Sequence, residues 1–322
     1  MQVSAPALPV PQATDNTREA LLDLLKLLDG MGYSFITATP STHARVVARP
    51  DRQRAETVRD VLGWSLPFAP DLLPPRLLET LRAADAVTEE GRLLKAKVRV
   101  SSVHGTLFVH SAYPTTAEDS VFLGPDSYRF ADLILAHLGE LPPRARILDY
   151  GTGAGVGGIT AARAARDAHL TLADINPKAL FLASINAEHG GVAHDCVDVR
   201  TPADAPGEYD LIVTHPPFMI DRGRRAYRDG GDLYGGQLSL DWTLASVAKL
   251  RPGGRFVMHT GVSIVGGRDV LRDALDQQLS ADGFTVDYRE LDPDIFGEEL
   301  EQPHYAEVER IAAVGLVIQR AV

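Results

Sequence analysis

Arg146-Ile-Leu-Asp-Tyr150, continued by Gly151-Thr-Gly-Ala-Gly-Val-Gly-Gly158, specifies a backbone and a ligand together. Arg146 to Tyr150 is a short apolar run with a carboxylate at Asp149, the pattern of a buried parallel strand. Gly151, Gly153 and Gly155 then permit a tight turn and let the main chain approach a ligand that any Cβ would hold off. Small and apolar residues from Ile159 to Ala165 begin a helix at once. Strand, glycine turn and helix form the first half of a nucleotide-binding βαβ unit, a pattern that dinucleotide enzymes share.

The following elements narrow the choice. Leu170-Thr-Leu-Ala-Asp174 is a second strand ending in an acid, where a carboxylate can accept both hydroxyls of a ribose. Ile175-Asn-Pro-Lys-Ala-Leu180 follows, with Pro177 suited to a first helical turn. Asp198 closes a third strand, Cys196 to Val199, and Tyr209-Asp-Leu-Ile-Val-Thr-His-Pro-Pro-Phe218 runs off a fourth. Singly, an Asp at a strand end is often only a helix cap, and Pro-Pro only a strand terminator. In this order, over about Val121 to Gln319, the four motifs resemble the class I S-adenosylmethionine-dependent methyltransferases. Within them they look like the small methyltransferase group, which holds release-factor glutamine methyltransferases and ribosomal-RNA guanine and adenine N-methyltransferases. A dehydrogenase has no need of a Pro-Pro-aromatic turn after its fourth strand.

The resemblance implies an α/β fold, a Rossmann-like seven-stranded sheet, and S-adenosylmethionine as cofactor. It implies that Asp149, Gly151, Gly153 and Gly155 border the methionine and ribose parts of that cofactor. Asp174 would hold the ribose hydroxyls, Ile175 would pack on the adenine, Asp198 would accept from the adenine amino group, and Val199 would add a backbone contact. His215-Pro216-Pro217-Phe218 matches the family's Asn/Asp-Pro-Pro-aromatic turn, which grips a planar nitrogen beside the methyl donor. His215, Pro216 and Phe218 are therefore the expected catalytic residues: two acceptors and a stacking ring. No metal is expected.

His215 departs from the family. Neutral imidazole has one acceptor nitrogen and its cation has none, so only the unprotonated ring in one tautomer can accept from an amine. Imidazole can also take a proton, which an Asn cannot. The plain alternative is a residue that fills space at a strand end; the intact Pro-Pro-Phe beside it favours the functional reading.

Composition bounds the remainder. The 322 residues are 45% hydrophobic, enough for a large α/β domain and a smaller one. A single cysteine, Cys196, leaves no internal disulfide framework and no cysteine zinc cluster. No apolar run approaches the roughly 20 residues that span a bilayer, and Met1 to Thr14 lacks the pattern of a secretory signal, so a cytoplasmic enzyme is expected. The formal net charge of −11 weighs against a nucleic-acid partner, although charge can be patchy.

Residues 1–15 read as a disordered leader, 16–120 as a mainly helical, winged-helix-like N-terminal domain, and 121–322 as the methyltransferase domain. The first part is expected to hold helices over Thr17–Leu28, Arg52–Leu62 and Pro74–Ala84, then strands Leu93–Val100 and Gly105–His110, with Ser111–Ser120 as linker. Ser127, Tyr128 and Arg129 are candidates to contact the cofactor's carboxylate. Met219 to Gly236 lacks periodicity and reads as a lid whose arginines (Arg222, Arg224, Arg225, Arg228) could hold an anion. Glu298, Glu299 and Glu301 could face a cation, although an exposed acidic loop is the simpler reading. These features point to N-methylation of a small amino-acid-like or nitrogenous metabolite. The alternatives are a protein glutamine or an rRNA base as acceptor, and a module that only binds the cofactor or uses it otherwise. Oligomeric state is left open.

Overall fold

A computed structural model describes residues 15–221, 223, 225, 227–280 and 282–322. The expected leader falls outside them except for Asp15, which opens the first helix. The helices are α1 (Asp15–Gly30), α2 (Pro40–Val47), α3 (Val58–Leu62), α4 (Pro75–Ala83), α5 (Pro125–His137), α6 (Val156–Ala164), α7 (Pro177–His189), α8 (Gln237–Val247) and α9 (Val270–Gln278). The strands are β1 (Val87–Glu90), β2 (Leu93–Ala96), β3 (Val98–Val103), β4 (Thr106–Ser111), β5 (Arg146–Tyr150), β6 (His169–Asp174), β7 (His194–Asp198), β8 (Tyr209–Thr214), β9 (Leu250–Val265), β10 (Arg268–Asp269), β11 (Phe284–Asp292) and β12 (Arg310–Arg320).

The central sheet runs in the order β11-β12-β9-β8-β5-β6-β7, with β10 appended to β9. Strands β7, β6, β5, β8 and β9 are parallel; β12 runs antiparallel between β9 and β11. Alternate residues enter opposite faces. Ile147, Leu170, Leu211 and Val257 pack in one apolar cluster with α5, α6 and α7, while Leu148, Ala173, Ile212 and Phe256 pack in the other with α8 and α9. The expected Rossmann-like class I sheet is present.

The N-terminal part is four short helices and two two-stranded hairpins, β1–β2 and β3–β4. It shares the first apolar cluster with the sheet: Leu24, Leu28 and Leu81 belong to the same core as Phe130 and Leu182. Arg18 bonds Ser184 at 3.0 Å and Glu188 at 2.7 Å, fastening α1 to α7. Buried Asn186 accepts from Val109 N at 2.8 Å and donates to Ala154 O at 2.9 Å, so β4 and the glycine turn share one side chain.

Several boundaries differ from expectation for local reasons. The helix expected from Arg52 begins only at Val58. Thr57 and Asp60 form a reciprocal capping box there, and Asp60 also accepts from Glu56 N. Helix α2 was not anticipated; Thr39 caps it and Pro40 occupies its first turn. The run Leu93–Val100 splits into β2 and β3, with Lys97 N bonded to Ala86 O at the break. The hairpin β3–β4 turns on two residues, His104 and Gly105, both with positive φ, as a two-residue type I′ turn requires.

Candidate active site

Three strand ends converge where the strand order reverses. Tyr150 of β5 lies opposite Ala173 of β6 and Thr214 of β8, so Gly151, Asp174 and His215 leave the sheet side by side at its carboxyl edge. Open α/β sheets bind ligands at this switch point. A cavity of about 580 Å³ opens there.

One half of the cavity is built on the glycine turn. Gly151 has φ +66°, and a Cβ there would lie 2.7 Å from the Trp242 ring. Gly153, at φ +52°, borders the cavity with nothing within 4 Å of the place a Cβ would take, so main chain alone faces the ligand. Asp174 lines the cavity and braces this turn: its carboxylate accepts from Gly153 N at 3.0 Å and Asn176 N at 2.8 Å. Burial raises its carboxyl above the ordinary range, against those bonds. Ile175, 50% exposed, offers an apolar side chain at the mouth.

Four expected cofactor contacts are not among the lining residues. Asp149 turns under the loop, where its buried carboxylate accepts from Gly158 N and Thr152 Oγ1, each at 2.8 Å. Burial pushes it up to about 7, so it organises the turn from beneath. Gly155 begins α6 at φ +84° and packs on Ile159 and Ala183. Asp198 and Val199 end the edge strand region, where Asp198 is exposed; Arg200 borders the cavity instead. Of Ser127, Tyr128 and Arg129, only Ser127 lines this cavity. Tyr128 Oη accepts from Thr37 N at 2.9 Å, and Arg129 pairs with Asp126 at 3.0 Å and Asp292 at 2.8 Å.

The other half carries His215, Pro216, Pro217 and Phe218, which all line the cavity. His215 Nδ1 lies 2.7 Å from the backbone oxygen of His259. A carbonyl only accepts, so Nδ1 carries the proton and the neutral ring keeps its lone pair on Nε2. The Phe218 ring rests on Gly261 of β9, in the volume a Cβ would need. Phe296 stands 5.8 Å from Phe218 between ring centres and holds φ 55°, ψ 36°, a left-handed conformation unusual for a bulky residue.

The segment expected to form a lid is fastened through several of its described residues. Arg225 grips Asp221 through Nε at 2.8 Å and Nη2 at 2.7 Å, holding that carboxyl down to about 2. Arg228 pairs with Glu299 at 2.6 Å. Tyr227 Oη donates to Thr115 O at 2.9 Å, within the expected linker, whose Tyr113, Pro114 and Thr115 border the cavity. Both described arginines of the lid are thus engaged by carboxylates; Arg222 and Arg224 lie outside the described residues. Glu298 and Glu301 are exposed.

Residues 118–228 match the methyltransferase small domain. Over those residues the chain carries a methyltransferase small domain. Over 151 residues it is 30% identical to the release factor glutamine methyltransferase of Koribacter versatilis (strain Ellin345), covering 42% of this chain and 54% of that one. Over 118 residues it is 30% identical to the ribosomal RNA small subunit methyltransferase C of Ectopseudomonas mendocina (strain ymp), covering 33% and 35%. The chain spans about half or less of the length of these two curated relatives. Among solved structures, the ribosomal protein L11 methylase from Lactobacillus delbrueckii subsp. bulgaricus aligns with a TM-score of 0.43 and 18% identity, over 62% of this chain and 81% of that one. The cofactor of the methyltransferase domain is S-adenosylmethionine. The bare main chain at Gly153 and the Asp174 carboxylate, with lone pairs beyond its two loop bonds, suit a ligand bearing ribose hydroxyls and positive charge. No helix of the described residues is long and apolar enough to cross a membrane.

Proposed function

We propose that this chain transfers the methyl group of S-adenosylmethionine to the carboxamide nitrogen of a glutamine in a protein. The observation that carries the reading is His215, whose Nδ1 is committed to the His259 carbonyl and whose Nε2 is left as an acceptor beside Phe218. The relatives named for glutamine methylation support the acceptor class. The sequence points to a small amino-acid-like or nitrogenous metabolite, with lid arginines to meet an anionic end of it. Arg225–Asp221 and Arg228–Glu299 remove much of that basis. An rRNA base shares the planar NH2 group, but the −11 net charge disfavours phosphate contacts.

S-adenosylmethionine supplies an electrophilic methyl group on a sulfonium. Asp174 would bind its ribose, Ile175 would cover the adenine with Asp198 and Val199 at the rim, and Gly151 and Gly153 would let the main chain approach. His215 Nε2 and the Pro216 carbonyl would accept from the amide NH2, turning its lone pair toward the methyl, while Phe218 packs on its plane. As the nitrogen gains the methyl it must lose a proton, and Nε2 is placed to receive it. Orientation and exclusion of water supply barrier reductions on the order of 7–11 kcal/mol in such sites. Residues 16–120 would form a substrate-gripping unit ahead of a catalytic unit over 121–322.

The test is transfer of label from S-adenosylmethionine to protein extracts, to ribosomes and to a metabolite pool in parallel. Methylated glutamine recovered from protease-digested protein supports the proposal. Label confined to rRNA or to small molecules replaces it with the corresponding acceptor, and absence of transfer to all three overturns it.

A further inference from the structure

His259 sits on β9, fully buried, one step beyond the register pair Thr214–Met258 that sets β8 beside β9. That register brings its ring against His215, with centroids 4.9 Å apart, an interplanar angle of 63°, and Nδ1 atoms 3.2 Å apart. One hydrogen must serve this contact. The His259 carbonyl already requires it on His215 Nδ1, so His259 Nδ1 must be a lone pair and its own proton must sit on Nε2. His259 Nε2 is buried with no hydrogen-bond partner, an arrangement that ordinary packing would not select, since an apolar ring would fill the space without an orphaned N–H.

We infer that His259 is a positioning residue for His215: its carbonyl and ring nitrogen together receive the Nδ1 proton, fixing the tautomer that leaves Nε2 free and supporting the ring once it is protonated. This rests on His215 being the acceptor-facing group. The groups that face the pair are few. Phe130 of α5 and Phe218 present rings, and Arg129 of α5 is the nearby cation, itself paired with Asp126 and Asp292. Burial first, then the nearness of His215 and Arg129, holds His259 well below the ordinary imidazole range. It therefore stays neutral, as an acceptor of the His215 proton must.

The test is nitrogen NMR of histidine-labelled protein, with His215 assigned through His215→Asn. It needs no methyl acceptor. In the unsubstituted protein at alkaline pH, His215 should show a protonated Nδ1 and an unprotonated Nε2. His259→Leu should move the His215 titration midpoint down by about 0.5–1 pH unit, the worth of one hydrogen bond. His259→Asn, whose amide oxygen falls near the lost Nδ1, should restore it. A protonated Nε2 on neutral His215, or an unmoved midpoint in folded His259→Leu, overturns the inference. If His259→Leu fails to fold, the tautomer in the unsubstituted protein decides. Full turnover in His215→Ala would remove the acceptor role of His215 yet leave this histidine pair standing, so the two failures are separable.

Discussion

Replacing Asp174 with Ala tests the cofactor half of the site most directly. The carboxylate borders the cavity and holds Gly153 N and Asn176 N, so its removal deletes a ligand acceptor and loosens the turn in one step. Hydrogen bonds to charged groups contribute about 1.5–3 kcal/mol each, so two ribose contacts amount to about 3–6 kcal/mol. At about 1.4 kcal/mol per decade, affinity for S-adenosylhomocysteine should fall by roughly 10²–10⁴-fold. Global stability should change far less. The two internal bonds to the same carboxylate carry the same worth, about 1.5–3 kcal/mol each, but the burial that raises this carboxyl is relieved in the opposite direction and offsets much of their loss. Asp198→Ala is the graded comparison: an exposed acid at the adenine rim can give up one solvent-screened contact, worth about 1 kcal/mol or less. Titration calorimetry with S-adenosylhomocysteine, paired with denaturation, separates the effects. Unchanged affinity in Asp174→Ala, or an equal loss in Asp198→Ala, would refute the assignment of Asp174 to the ribose.

Three further outcomes follow from the geometry. Gly261→Ala places a methyl where the Phe218 ring lies; this overpacking should destabilise by about 1–3 kcal/mol and lower turnover, with S-adenosylhomocysteine affinity held, and a fully active variant would show that Phe218 has room to move. Asp149 has a folded-state pKa raised from 3.8 to about 7, so its ionisation opposes folding progressively between those values and fully above them. Asp149→Asn keeps an acceptor for Gly158 N, and its stability advantage should widen by up to about 4 kcal/mol from pH about 4 to 7 and then hold constant; parallel denaturation curves over that range would contradict it. His215→Ala should reduce turnover about 10²–10⁴-fold with donor affinity retained, and His215→Asn should keep part of the activity while flattening its acid limb, measured as turnover against pH at saturating donor.

What the sequence reveals here is local chemistry. The glycine turn, Asp174, and His215-Pro-Pro-Phe218 each announce themselves through residues close in the chain, and the structure assembles them at one edge. Asp149 was legible as a key acid but not in its orientation, because the amide it satisfies belongs to Gly158, nine positions away around a turn. His259 was hidden. It meets His215 across 44 residues through β8–β9 pairing, and a histidine inside an apolar strand carries no signal of its partner. The lid misled for the same reason: Arg228 reads as a free cation until Glu299 arrives from a distant loop. Phe296 and Trp242 were missed because an aromatic residue looks the same in a core as on a cavity wall.

The lid's internal fastenings bear on which acceptors can react at all. Arg228 to Glu299 and Ile220 to Tyr305 fix it to the loop between β11 and β12, and Tyr227 to Thr115 fixes it to the segment ahead of α5. An acceptor that needs the lid displaced must replace those contacts with its own, from surface remote from the reacting nitrogen. A folded protein offers such surface; free glutamine does not. The two present the same carboxamide, yet the loss for the smaller should fall on turnover as well as on binding, because remote contacts are what drive the closed site into its reactive arrangement. Discrimination would then reside in the size of the molecule that carries the amide, and the amide itself would be read only for its shape.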